Sequence, residues 1–392
     1  MTIHPPFTYT ILGAGRQGAA AAYDLGRFGG AGRILLADAS LAQARKTAER
    51  VNALLTEPVI EAVELDVSDG AGLRRLLGPA DVALSAVPYY FNLEISRAAI
   101  ETQTSLCDLG GNTDVVLTQL ALDEEARQAG ISLAPDCGMG PGLVNTLGAY
   151  AIELLDEARE VFIYDAGLPQ TPVPPWNYEL TFHINGLTNE MDGEAVFIRQ
   201  GRITRVPTLS EPEMIDFPGI GLLEADVTSG GTSTAPWTYE GRLQTYENKV
   251  LRYPGHFEWL RAFKTLGLFS EQPVVVNGQS IIPRQVYHAL LEPKLYSPRP
   301  RDIGIMRAIA RGTRDRQPAE VRVDLWDRYD EATGFTAMER LTGFHCAIMM
   351  GFQARREVAS GAQAVETAVP ASRFMAEVAR RGIHFEVRRD PA

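Results

Sequence analysis

Up to about Pro135 the chain alternates between two patterns of apolar and polar positions. Short apolar runs bounded by turn residues fall at 9–12, 33–37, 59–65, 81–86, 105–109 and 131–135, and are predicted as buried strands. Between them, apolar residues recur at helical spacing over 19–28, 41–55, 71–77, 92–101 and 114–129. In the second of these helices Ala44, Ala48, Val51 and Leu55 share one face. Six strands alternating with helices through short turns predict a doubly wound parallel sheet, an α/β Rossmann domain.

The pattern then changes. A helix is predicted at 143–155. From about 160 to 330 the chain carries longer apolar runs and more Pro. Strands are predicted at 161–165, 178–184, 195–199, 203–206, 244–252, 274–277 and 320–329, with helices at 257–266 and 283–291. His183 falls inside one of these strands and is expected to pack in the sheet. Helices follow at 336–359 and 371–381. The fold expected is a Rossmann domain over 1–136, to which 337–392 returns. An α+β substrate and dimerisation domain with a large mixed or antiparallel sheet occupies 137–336.

Gly13-Ala14-Gly15-Arg16-Gln17-Gly18 follows the first strand and opens the first helix. A glycine triplet is weak alone, but this context is that of a dinucleotide-binding turn. Gly13 permits the tight turn, Gly15 lets backbone approach a pyrophosphate, and Gly18 lets the helix pack close to the strand. The helix N-terminus, with Arg16 and Gln17, faces the phosphates. Asp38 ends the second strand, where a carboxylate bonds the ribose hydroxyls of NAD and repels the 2′-phosphate of NADP. NAD is therefore the expected cofactor. Later strand ends extend the site: Asp66 and Val67 toward the adenine, Ala86, Val87 and Pro88 beneath the nicotinamide ribose, and Gly110 and Gly111 where backbone must come close to a ligand.

Composition narrows the partners. Of 392 residues 22% are charged, and the formal net charge is -12. Such a surface repels phosphate backbones, so no nucleic acid is expected. The Arg-rich stretch 299–316 reads as a solvated loop and helix. Three cysteines, Cys107, Cys137 and Cys346, form no disulfide framework and have no zinc-ligand spacing, so no metal is expected. No long apolar run suggests a membrane span. Met1 to Phe7 has no basic segment ahead of an apolar one, so no signal peptide is expected and a cytoplasmic location is the default.

Several blocks carry a resemblance. They are Gly13 to Gly18, Val87-Pro88-Tyr89, Cys107 to Gly111, Pro135-Asp136-Cys137-Gly138-Met139-Gly140-Pro141-Gly142 and Gly186-Leu187-Thr188-Asn189-Glu190. Leu223 to Gly231, Leu251-Arg252-Tyr253-Pro254-Gly255-His256 and Thr336 to Phe344 follow. In this order they resemble the lysine 6-dehydrogenase and saccharopine dehydrogenase group over nearly the whole chain. The resemblance implies an NAD-dependent oxidoreductase that deaminates the ε-amine of lysine to a semialdehyde and ammonia. A saccharopine-type dehydrogenase acting on a secondary amine is the alternative. An NAD-binding sensor without turnover is the third reading.

Oxidation at a carbon–nitrogen bond needs a neutral amine, a proton acceptor and groups that hold the amino acid. His256, at the start of a predicted helix, is the first candidate for proton transfer, with a structural role as the alternative. Asp136 is a candidate amine anchor or a helix cap. Cys137 follows it, though hydride transfer from an amine needs no thiol adduct. Arg252 and Arg340 are candidates for the substrate carboxylate, or members of structural ion pairs. Tyr89, Thr228 and Ser229 are further candidate substrate contacts. A homodimer is the expected assembly.

Overall fold

The computed structural model describes residues 6–298 and 300–391. The chain begins with β1 (Phe7–Leu12), α1 (Arg16–Phe28), β2 (Ala31–Asp38), α2 (Leu41–Asn52), β3 (Ile60–Glu64), α3 (Gly70–Leu77) and β4 (Val82–Ser85). Next come α4 (Asn92–Thr102), β5 (Ser105–Asp108), α5 (Thr113–Leu120), α6 (Asp123–Ala129), β6 (Ser132–Ala134) and α7 (Leu143–Glu153). The middle holds β7 (Glu157–Pro169), α8 (Ile184–Glu190), β8 (Glu194–Arg199), β9 (Arg202–Pro207), β10 (Glu213–Phe217), β11 (Gly221–Val227), α9 (Ala235–Tyr239) and β12 (Thr245–Arg252). Then follow α10 (His256–Thr265), the hairpin β13 (Val274–Val276) and β14 (Gln279–Ile281), α11 (Pro283–Leu295), β15 (Asp302–Arg314) and β16 (Gln317–Arg328). The chain ends with α12 (Ala337–Ala354), β17 (Gly361–Ala362), α13 (Ala371–Arg380) and β18 (His384–Pro391).

Two large sheets organise these elements. The first is parallel, in the order β17-β6-β5-β4-β1-β2-β3, the arrangement of a Rossmann sheet with one added edge strand. The second is mixed: β10-β11-β12-β7-β15-β16-β18, with β8 and β9 joined beside β12. Its one parallel pair is β12 with β7; the other ladders are antiparallel.

Helix α12 locks the sheets together. Its N-terminus is fixed by a capping box in which Thr336 and Glu339 satisfy each other's backbone N–H groups. A Cβ on Gly343 would meet Ala20 Cβ at 2.6 Å, so α12 crosses α1 at close range on small residues. Toward the second sheet, Met338 fills the space above Gly167 and Leu341 that above Gly304. One continuous core therefore runs from α1 through α12 and α7 to β15 and β16. The C-terminal segment divides. Strand β17 extends the Rossmann sheet, whereas β18 pairs with β16 in the second.

Four expected elements differ. Residues 178–184 form no strand. Tyr178 and Leu180 point into a core with Leu291 and Leu295, so burial rather than a ladder explains the apolar run. His183 caps α8, accepting the Asn185 N–H at Nδ1 (3.1 Å). The stretch read as a charged loop and helix is instead β15, inside the second sheet, while Arg299 lies outside the described residues. Its arginines mask the strand pattern, and Arg307 is buried against Asp324 on β16 (2.5 and 3.0 Å). The helix expected over 114–129 is two helices, α5 and α6, and α12 stops at Ala354.

Candidate active site

The glycine turn is built by close contacts. Gly13 has φ +107°, and a Cβ there would lie 2.6 Å from the Ala86 carbonyl oxygen at the end of β4. A Cβ on Gly18 would overlap the Gly13 carbonyl oxygen at 2.0 Å. A Cβ on Gly15 meets nothing within 4 Å. That open side leaves backbone free to receive phosphate oxygens, and no side chain caps α1. The Gln17 Oε1 is buried there without a partner. Arg16 is held by Glu339 of α12 (2.6 Å). Asp38 both ends β2 and braces the turn, accepting the N–H of Ala14 (3.0 Å) and of Ser40 (2.9 Å).

Neighbouring strand ends continue this surface. A groove of about 370 Å³ lies over the end of β3, lined by Leu65, Asp66, Gly72 and Leu76. Asp66 accepts both the N–H and O–H of Ser68, which hold its carboxyl below the usual range. Val67 packs beside the core that contains Leu65. Pro88 leads into a short 3-10 turn, Tyr89–Phe91, and Tyr89 sits against Gly111. These features fit an extended dinucleotide: an open phosphate cradle, an orphaned polar atom, a ribose-side carboxylate and a groove for a flat base.

Where the nicotinamide end would fall, the chain builds a buried acid. Gly110 has φ +70°, and the space of its missing Cβ is filled by Asp136 Oδ1. Asp108 ends β5 and accepts the N–H of Gly110 (2.7 Å), the N–H of Asp136 (3.2 Å) and the Gln119 amide (2.7 Å). Asp136, at φ +58°, accepts the Ser233 hydroxyl at Oδ2. Its Oδ1 is buried against the backbone of Gly110 and Gly111 with no well-formed hydrogen bond. Burial raises the Asp136 carboxyl to about 7, the Ser233 hydroxyl opposes the shift, and the negative charges of Asp108 and Glu366 add to it. Asp108 is raised to about 6, again chiefly by burial. The strand end thus carries two buried carboxyl groups raised toward neutral pH.

The loop carrying Ser233 joins this acid to a second cluster of buried polar side chains. Thr232 donates to the Val196 carbonyl (2.8 Å), and Asn145 donates to the Thr232 carbonyl (2.8 Å). Thr234 and Thr238 both donate to buried Glu366. Two residues before Ser233, Gly231 presses against Asn248, which donates to Asp165 on β7 (2.9 Å). Beyond Asp165 lie Arg252, Glu190, Tyr178 and His256. Arg252 ends β12, is 3% exposed, stands 3.5 Å from Glu190 and lies over the Tyr178 ring at 5.0 Å. The Nε of Arg252, Oε2 of Glu190, Oδ1 of Asn248 and both nitrogens of His256 lack well-formed hydrogen bonds. Buried polar atoms are seldom left so, and their convergence marks a place for a polar ligand. Burial raises Glu190 to about 7, against the pull of Arg252. His256 opens α10 and is enclosed by Tyr178, Phe257 and Trp259. Burial and the Arg252 charge hold its imidazole well below the ordinary histidine range, so it is neutral.

Of the candidates read from the sequence, Asp136, His256 and Arg252 sit in these two buried clusters. Ser229 lies beside them, its N–H on the Glu190 carbonyl (2.8 Å) and its hydroxyl on that of Asn189 (2.7 Å). Thr228, on the same loop, is buried. Two candidates are corrected. Cys137 is fully buried in the core, and its thiol donates to the Ala134 carbonyl (3.2 Å), so it presents no nucleophile. Arg340 is committed to Asp327 (2.6 Å) between α12 and β16, with Asp330 at 3.7 Å, and has no free fork for a substrate. The residues not foreseen are Asp165, Asn248, Ser233 and Glu366. Asp165 lies between apolar residues on β7 and Asn248 between charged ones on β12, and only the β7–β12 pairing brings them together.

Comparison with known proteins agrees with this architecture. Residues 9–133 match the saccharopine dehydrogenase NADP binding domain, and residues 138–383 the saccharopine dehydrogenase C-terminal domain. The NADP(+)-dependent, L-glutamate-forming saccharopine dehydrogenase of Saccharomyces cerevisiae is 24% identical over 248 residues, covering 60% of this chain and 54% of that enzyme. Carboxynorspermidine synthase of Vibrio cholerae is 24% identical over 282 residues, 66% of each chain. This chain therefore spans only about half to two thirds of the length of these relatives. The solved apo saccharopine dehydrogenase from Saccharomyces cerevisiae superposes with a TM-score of 0.79 at 18% identity, covering 98% of this chain and 100% of that one, which shows a common fold. On the two domain matches, which together take in most of its length, the chain belongs to the saccharopine dehydrogenase family.

Proposed function

We propose that this chain is a nicotinamide-dinucleotide-dependent oxidoreductase acting at the carbon–nitrogen bond of an amino acid, and that its substrate is a secondary amine. The single observation that carries the reading is Asp136. It is a buried carboxyl raised to about 7, just beyond the end of β6, with one oxygen facing only the backbone of Gly110 and Gly111. A bound nicotinamide supplies the hydride acceptor. Asp136 takes the amine proton, which frees the nitrogen lone pair, and then serves the water that cleaves the oxidised bond. Ser233 holds the carboxylate in place, and Arg252 takes a substrate carboxylate. Neutral His256 offers a hydrogen bond to the bound amino acid.

The names of the relatives favour a secondary amine over simple deamination of lysine, since saccharopine and carboxynorspermidine both join two molecules through one nitrogen. We also propose NAD over NADP, although the yeast relative uses NADP(+), because Asp38 stands where the 2′-phosphate would lie. Purified protein incubated with each dinucleotide and with lysine, saccharopine or aminoalkylated lysine tests these readings. Reduced NAD is expected with a secondary amine. Reduction with lysine alone supports the deaminase instead, and tight dinucleotide binding with no reduction supports a sensor.

A further inference from the structure

Both members of the Asp136–Ser233 pair are held in a backbone conformation that residues with a side chain rarely adopt. Asp136 has φ +58° and Ser233 φ +48°. Such residues persist only where neighbouring contacts impose them. For Asp136 the contacts come from its own sheet. Its N–H donates to the Asp108 carboxylate (3.2 Å), and the N–H of the next residue donates to the Asp108 carbonyl (2.7 Å). For Ser233 they come from outside its loop. Asn145 of α7 holds the Thr232 carbonyl on one side (2.8 Å). On the other side Glu366 takes the hydroxyl of Thr234 (3.0 Å to each oxygen) and that of Thr238, one turn further along α9.

Glu366 is 5% exposed, and among the described residues no Lys, Arg or His pairs with it. A buried carboxylate is ordinarily paired with a cation, because leaving it without one is costly. Here two threonine hydroxyls and its own N–H take that place, opposing the burial that pushes the carboxyl above its ordinary range. Glu366 lies four residues beyond β17, which pairs with β6, and β6 leads into Asp136. The short edge strand thus ties Glu366 to the same sheet as Asp136, with the Ser233 loop fastened to both. The negative charges of Asp108 and Glu366 both act on Asp136. Tyr239 of α9 and Tyr246 of β12 also face Glu366, with Arg242 and Glu153 beyond Tyr239. Burial, with Glu366 adding to it, keeps both phenols protonated.

We propose that Glu366 is a positioning residue for this site: it fixes α9 and the loop before it so that the Ser233 hydroxyl meets Asp136, and it places a second carboxylate charge within reach of that acid. This rests on the proposed chemistry at Asp136 and adds to it a residue that acts through others. The carboxyl titration of Asp136 tests it without any substrate. Carbon-13 nuclear magnetic resonance of the full chain with labelled aspartate follows that titration, and Asp136→Asn supplies the assignment. The wild-type midpoint is expected near 7, and Glu366→Gln, which keeps the shape and removes the charge, is expected to lower it by about half a pH unit or more. A midpoint that stays in place or rises, as it would if Glu366 were only structural, overturns the proposal. Thr238→Val keeps the charge and removes one anchor. It is expected to lower kcat about threefold or more while KM for the dinucleotide holds within about twofold. A wild-type kcat in that variant overturns the proposal equally. A lowered midpoint in a chain that oxidises no amine leaves Glu366 its role and removes the proposed reaction instead.

Discussion

Asp136 ties stability to pH as well as chemistry to pH. A free carboxyl titrates near 4, whereas in the fold burial raises Asp136 to about 7. Between those values the folded chain keeps a proton that the unfolded chain has released. Its contribution to stability therefore falls as pH rises through this window and levels off above about 7. Asp136→Asn removes the ionisation cost. Urea unfolding above about pH 7 should show the variant more stable, by on the order of 2–4 kcal/mol, with the difference vanishing near pH 4. Turnover should fall by at least about 100-fold. A variant less stable at every pH would mean that the Ser233 contact outweighs the burial of charge.

Two glycines of the phosphate turn separate folding from binding at the same scale. Gly15→Ala places a methyl group in open space, so the melting temperature should hold within a degree or two while dinucleotide affinity drops about tenfold or more. Gly18→Ala drives a methyl into the Gly13 carbonyl and should lower the melting temperature itself. Thermal melts with and without dinucleotide distinguish the two. Asp38→Ser should raise the NADP-to-NAD ratio of kcat/KM by about tenfold or more. An unchanged ratio would place cofactor choice elsewhere.

At the scale of elements, the buried pair between Arg340 of α12 and Asp327 of β16 fastens the return helix to the second sheet. Arg340→Ala leaves Asp327 buried alone and should cost about 3–5 kcal/mol in urea unfolding. Because Arg340 touches no chamber residue, KM for the amine should stay within about twofold. A large rise in KM with intact stability would return Arg340 to the substrate site.

The same pair shows what sequence pattern reveals and what it hides. The Rossmann strands were legible because each is a short apolar run with a turn at its end. The dinucleotide turn was legible because its glycines, the strand before it and the helix after it are contiguous. Strand β15 was not, since Arg307 and Arg311 read as solvated until their partners Asp324 and Glu320 on β16 are known. Residues 178–184 misled in the opposite way, apolar enough for a strand but buried against helices. Arg252 and His256 could be found from one local block. Asp165, Asn248 and Ser233 could not, because strand pairing and a loop crossing between sheets make them neighbours.

The molecule as a whole is a Rossmann sheet and a mixed sheet clasped by α12, with the Ser233 loop reaching from one to the other. Asp136 on the first sheet is positioned by Ser233 of the second part, and Thr234 and Thr238 anchor that loop to Glu366 near the C-terminal helices. The two parts therefore meet at one carboxylate, and on the proposed function the chemistry should depend on both.

On the proposed function, this carboxylate is the proton acceptor for oxidation at a carbon–nitrogen bond. The most direct measurement is the pH profile of kcat/KM for dinucleotide reduction by an aminoalkylated lysine, in the wild-type chain and in Asp136→Asn. The wild-type limb is expected to rise with an apparent pKa near 7, and the residual rate of the variant to have lost that limb. An Asp136→Asn variant that keeps the wild-type rate and the same rising limb would contradict it.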